Sequence, residues 1–93
     1  MKYKRRSKMH ILMDMLVTIE KKGGQAKPTH ILYGANLSHK RLKEYLDFLL
    51  EKAFIEEVDF KGRTYYAITP EGSRFVREFE RIEEISTAFG IPF

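Results

Sequence analysis

Three groups of side chains in this sequence are equipped for chemistry. Lys2, Lys4, Arg5, Arg6 and Lys8 stand in the first ten residues with no acid among them, and such a run attracts phosphate or another polyanion. Ser38, His39, Lys40, Arg41, Lys43 and Glu44 mix short and long hydrogen-bond donors with an acceptor, which is what reading base edges requires. Glu56, Glu57 and Asp59 are close in sequence, yet in an extended segment neighbours point to opposite faces, so no catalytic carboxylate pair is expected. Of His10, His30 and His39, only His10 has a carboxylate at helical spacing, Asp14, and the chain has no cysteine. A metal site wants three or four converging ligands, so neither metal nor cofactor is expected. With no phosphate-binding glycine loop or nucleophile elbow in the sequence, the expectation is a protein that is not an enzyme.

Positioning these groups takes a folded domain. The 93 residues, with 43% hydrophobic and 32% charged side chains, fit one globular domain and not two. Their formal charge of +4 is unevenly spread: +5 over residues 1–10, +2 over 11–52 and −3 over 53–93. The apolar runs are a few residues long, too short to cross a bilayer, and the cysteine-free composition points to the cytoplasm.

Ser7 is placed to cap a helix running to Lys21, ended by Gly23 and Gly24, which open a loop through Lys27 and Pro28. This helix carries one apolar stripe at Ile11, Leu12, Met15, Leu16 and Ile19 and a second at Met9, Met13 and Val17. It is therefore expected to be buried on two sides, against the core and against another helix of the same or a second chain. Thr29 is expected to cap a short helix from His30 to Ala35, and Gly34, Ala35 and Asn36 a tight turn into a helix from Ser38 to Lys52. There Leu42, Tyr45, Leu46 and Leu49 share the inner face, while Lys40, Lys43, Glu44 and Asp47 point outward. Two strands follow, Ile55 to Phe60 and Arg63 to Ile68, joined by Lys61 and Gly62, with Val58 and Phe60 expected opposite Tyr66 and Ile68. Thr69 and Pro70 start a last helix that ends near Ala88.

This order, α+β and mostly helical, is that of a winged helix-turn-helix: three helices, a two-stranded wing hairpin and a C-terminal helix. The expected division is a basic arm over 1–6, the winged domain over 7–69, and a C-terminal helix over 70–93 that serves dimerisation. In such a domain the third helix enters the major groove of double-stranded DNA. Ser38, His39, Lys40, Lys43 and Glu44 would then face the bases, with Arg41 reaching the backbone from a flank. Asp47 and Glu51 would repel phosphate, so only the first two turns are expected to enter. Lys61, the Gly62 amide and Arg63 would hold phosphates from the wing, and Thr29 and Tyr33 from the second helix. Tyr33 reads equally as a half-buried core aromatic. Lys4, Arg5 and Arg6 of the arm read either as a phosphate clamp or as a solvated charge run.

Phe75, Phe79, Ile82, Ser86 and Phe89 alternate spacings of four and three, with Ile85 beside them. That seam reads first as packing, yet a helix flanking so small a domain needs a partner to bury two faces. Phe75, Phe79, Ile82, Ile85, Phe89, Met9 and Met13 are accordingly expected at a homodimer interface. The alternative function is a winged-helix module that docks on proteins of the transcription or replication machinery, which an acidic outer face on the third helix would favour.

The stretch Tyr33-Gly34-Ala35-Asn36-Leu37-Ser38, with Leu42, Tyr45, Leu46 and Leu49 after it, resembles the archaeal winged-helix proteins that include the small basic DNA-binding proteins of Sulfolobus. The resemblance continues through Ile55, the Tyr65-Tyr66 pair and Thr69-Pro70-Glu71-Gly72, covering roughly residues 7 to 80. It implies double-stranded DNA binding by a homodimer, as a nucleoid-associated protein or transcription regulator, joined through the C-terminal helices as an antiparallel coiled coil. The sequence departs from that pattern at His39, where many members carry an aromatic residue, and in its short closing helix with the apolar tail Ala88, Phe89, Ile91 and Phe93.

Overall fold

Three helices begin at a residue whose side chain replaces a missing backbone partner. The computed structural model describes residues 7–91, and in it Ser7 Oγ accepts from the His10 amide at 3.2 Å to start α1, Lys8–Lys21. Ser38 Oγ accepts from the Arg41 amide at 3.2 Å to start α3, His39–Glu51. Thr69 Oγ1 accepts from the Gly72 amide at 3.1 Å and donates to the Ala53 carbonyl at 2.6 Å, starting α4, Pro70–Ala88. The short α2, Pro28–Gly34, begins two residues before the expected start: Pro28 takes the first turn and Lys27 is the cap residue. Proline lacks the amide that a first-turn residue could not pair anyway, so Thr29 lies inside the helix and not at its cap. The His30 ring accepts from the Lys27 amide through Nδ1 at 3.4 Å.

The turn between α2 and α3 is made by Asn36, whose φ of +55° lies in the left-handed region that asparagine tolerates. Behind α3 come β2, Ile55–Phe60, and β3, Arg63–Ile68, an antiparallel hairpin with Lys61 and Gly62 at its tip. The sheet has three strands and not the expected two. Gln25–Ala26 forms β1 and pairs antiparallel with β3, giving the order β1-β3-β2. The segment read as a loop is drawn into the sheet by tertiary contact, including the Ile68 amide donating to the Gly24 carbonyl at 3.0 Å.

The hairpin register also corrects the expected facing. A two-residue tip pairs Phe60 with Arg63 and Val58 with Tyr65, while Ile55 pairs with Ile68. Val58 and Phe60 therefore lie on the sheet face opposite Tyr66 and Ile68, because side chains alternate with a period of two. The inner face, with Ile55, Ala26, Ile68 and Tyr66, packs on the core.

That core is built from Met15, Leu16 and Ile19 of α1, Ile31 of α2, Leu42, Leu46 and Leu49 of α3, and Val76 and Phe79 of α4. Both α2 and α4 pack against α1, which accounts within one chain for its two apolar stripes except at Met9, which stays exposed. α4 enters the fold at Gly72, where any side chain would collide with the Phe54 carbonyl. No helix among the described residues is long and apolar enough to cross a membrane.

Candidate nucleic-acid interface

The face of α3 turned away from the core is built by its own periodicity. Leu42, Leu46 and Leu49 are buried, so a step of 100° per residue carries His39, Lys40, Lys43, Glu44 and Asp47 to the outside. Ser38, His39, Lys40, Arg41, Lys43 and Glu44 are all exposed. Its two halves differ. The first turn holds Lys40 and Arg41 with no acid, whereas Lys43 reaches forward to Asp47 at 3.2 Å and Glu51 closes the helix. The cationic end is also the N-terminal end, where the helix dipole adds positive potential.

The wing projects its tip through a turn in which Lys61 and Gly62 have φ of +52° and +76°. Two successive left-handed residues match the twist of the flanking strands and make a firm hairpin. Lys61, Gly62 and Arg63 are exposed there. Between wing and α3 lies Tyr66, whose phenol is held above its usual value of 10.0 by burial; the Glu57 and Asp47 carboxylates push the same way and Lys43 opposes them. Glu57 and Asp47 thus gather on the inner side of the wing and the cations at its tip.

Thr29 and Tyr33 of α2 are exposed, and Tyr33 is not a core residue: 79% of its surface is open to solvent. It lines an open cleft of about 520 Å³ with Thr18, His30, Gly34 and two cations outside the expected set, Lys21 and Lys22. Only the fold could bring them in, because α1 crosses α2 where Gly34 meets the Thr18 side chain. Lys8, the last cation of the basic run, sits 4.1 Å from the Phe48 ring centroid. Lys4, Arg5 and Arg6 lie outside the described residues.

The residues expected at a dimer interface divide in two. Phe79 and Met13 belong to the core of the single chain, with Phe79 only 2% exposed, and Phe75 stacks on Phe54 at 4.9 Å. Phe79 and Met13 are withdrawn into the chain's own core and Phe75 is left half-buried, because α4 lies back across α1, where the His10 ring meets Phe79 edge-on at 5.4 Å and approaches Glu83 at 3.6 Å. Met9, Ile82, Ile85 and Phe89 are exposed, joined by Ile91. Among the described residues no three His, Asp or Glu side chains converge to hold a metal ion.

Comparison with known proteins agrees with this architecture. Two uncharacterised proteins of Methanocaldococcus jannaschii, MJ0290 and MJ0287, are 33% and 32% identical over 81 residues, 87% of this chain. The chain spans 34% of the length of the former and 77% of the latter. The crystal structure of Sso10a-2, a DNA-binding protein from Sulfolobus solfataricus, superposes with a TM-score of 0.79 at 25% identity, covering 90% of this chain and 85% of that one. A family model described as winged helix-turn-helix matches residues 5–87, and with that span the chain belongs to the winged helix-turn-helix family.

Proposed function

We propose that this chain binds double-stranded DNA as a homodimer and regulates transcription by occupying its site. The first two turns of α3 enter the major groove, the wing tip holds the backbone, and the distal half of α4 joins two copies. The observation that carries the reading is the charge division of α3: the exposed N-terminal turn bears Lys40 and Arg41 without an acid, at the end where a groove-reading helix makes its base contacts. The likeness to Sso10a-2, described as a DNA-binding protein, supports it. Ser38, His39, Lys40, Lys43 and Glu44 are assigned to the groove. Arg41, Thr29, Tyr33, Lys61, Gly62 and Arg63 are assigned to the backbone, with Lys4, Arg5 and Arg6 as a clamp. Residues 7–69 act as the reading domain and 70–93 as the dimerisation helix. Exposed Ile82, Ile85 and Phe89 support the latter, since a helix with this much uncovered apolar surface gains by pairing.

The test is a fluorescence-anisotropy titration of promoter and random duplexes at two salt concentrations. Binding should weaken steeply with salt, and Lys40→Ala and Arg63→Ala should each lower affinity, the Arg63 change reducing the salt slope by about one. If neither variant alters affinity for any duplex, the groove assignment is wrong. A second reading, a protein-docking module, is favoured by the Lys43–Asp47 pair, which neutralises a cation on the reading face. It requires a partner captured with little dependence on salt.

A further inference from the structure

Phe60 occupies a position where solubility favours a polar residue. It closes β2 beside the wing tip and is 53% exposed. Register puts it on the outer face of the hairpin, across from Arg63 and next to the Val58–Tyr65 pair. The Tyr65 ring supports it edge-on at 6.4 Å between centroids, and Lys61 Nζ stands 5.3 Å from the centre of the Phe60 ring. The ring is therefore braced by an aromatic neighbour on a firm two-residue turn, with a cation on each side.

The strand's acids are sorted away from it. Glu57 and Asp59 alternate to the inner face, and Glu56, on the outer face, is four residues toward the base of the wing, about 13 Å away at the rise of a strand. An apolar ring rimmed by cations complements a polyanion with flat apolar faces inside it, which is the chemistry of stacked bases between phosphates. A second copy of this wing would bring the same cations against it.

We propose that Phe60 is a wedge that enters a base step of duplex DNA while Lys61 and Arg63 hold the flanking phosphates. The inference rests on the DNA-binding reading and adds to it a source of sequence preference without base-edge hydrogen bonds. Unstacking costs least at flexible pyrimidine–purine steps, so the wing favours TA and CA over AA. Phe60 determines that preference by the cost of opening the step.

The experiment uses the full chain and short end-labelled duplexes that differ only in one central TA, CA or AA step, with 2-aminopurine as the adenine of that step. Anisotropy reports binding and 2-aminopurine fluorescence reports unstacking. Both signals should rise together, more at TA and CA than at AA. Phe60→Ala should abolish the fluorescence rise and weaken binding about tenfold, with the salt slope retained because no phosphate contact is lost. Phe60→Leu, which keeps apolar bulk, should retain part of the unstacking. Binding without a fluorescence change at any step, or wild-type behaviour of Phe60→Ala, overturns the wedge and leaves DNA binding standing. No anisotropy change at low salt on any duplex overturns both.

Discussion

α3 and α4 space their apolar residues alike but dispose of them differently. In α3, Leu42, Leu46 and Leu49 all enter the core, and the outer face is left polar along its whole length. In α4, Val76 and Phe79 enter the core, while Ile85, further along, and Phe89, which caps its end, are 52% and 73% exposed. The cause is length. Nineteen residues of α4 span about 28 Å, and the core of a chain this small ends before the helix does. An apolar stripe thus states that burial is wanted, and the extent of the domain decides whether the same chain supplies it.

That contrast is open to direct attack, most strongly at Phe79. Phe79→Ala should cost about 3–5 kcal/mol by opening a cavity in the core, comparable to the whole stability of many small domains, and should appear as a large fall in Tm. Ile85→Glu, six residues further on, should leave the fold of the chain intact and shift its sedimenting mass from dimer to monomer. An unchanged mass would remove the distal half of α4 from any interface. Should Ile85→Glu instead unfold the chain, the division of α4 into a core half and a partner half would be wrong.

The two helices also differ at their caps. Thr69 makes two hydrogen bonds, to the Gly72 amide and the Ala53 carbonyl, whereas Ser38 Oγ accepts from the Arg41 amide. Thr69→Ala should therefore cost toward 2 kcal/mol and Ser38→Ala about 1 kcal/mol in urea melts. Equal losses would mean that the Ala53 contact adds nothing. The smallest effect concerns the acidic half of α3 and is seen only in alkali. Burial and the Glu57 and Asp47 carboxylates raise the Tyr66 phenol above its ordinary value. An unfolded tyrosine ionises first, so this contribution is complete below about pH 10 and declines as pH climbs through the folded value. Tyr66→Phe should flatten the alkaline limb of the stability profile, and an unaltered limb would assign it to other groups.

Local chemistry made much of this legible. Ser7, Ser38 and Thr69 cap their helices because an N-cap acts within three residues, and Lys61-Gly62 marks the wing because only a few residue pairs accept two left-handed positions. The outer face of α3 followed from periodicity alone. Features that depend on distant chain segments were not legible. β1 is two residues long and exists through its pairing with β3, and Lys21 and Lys22 reach Tyr33 through the packing of α1 on α2. The facing of Phe60 was missed for a subtler reason: alternation is certain within a strand, but its phase relative to the partner depends on the turn.

The sequence by itself determined the order of the helices and of the wing hairpin, the caps of α1, α3 and α4 and the polar face of α3, all of which rest on interactions between residues a few positions apart. Tertiary structure decided which apolar stripe is spent on the core, which side of the wing Phe60 occupies and where β1 pairs. Those outcomes depend on how far the core extends and on strand register, and both are properties of segments meeting across the chain.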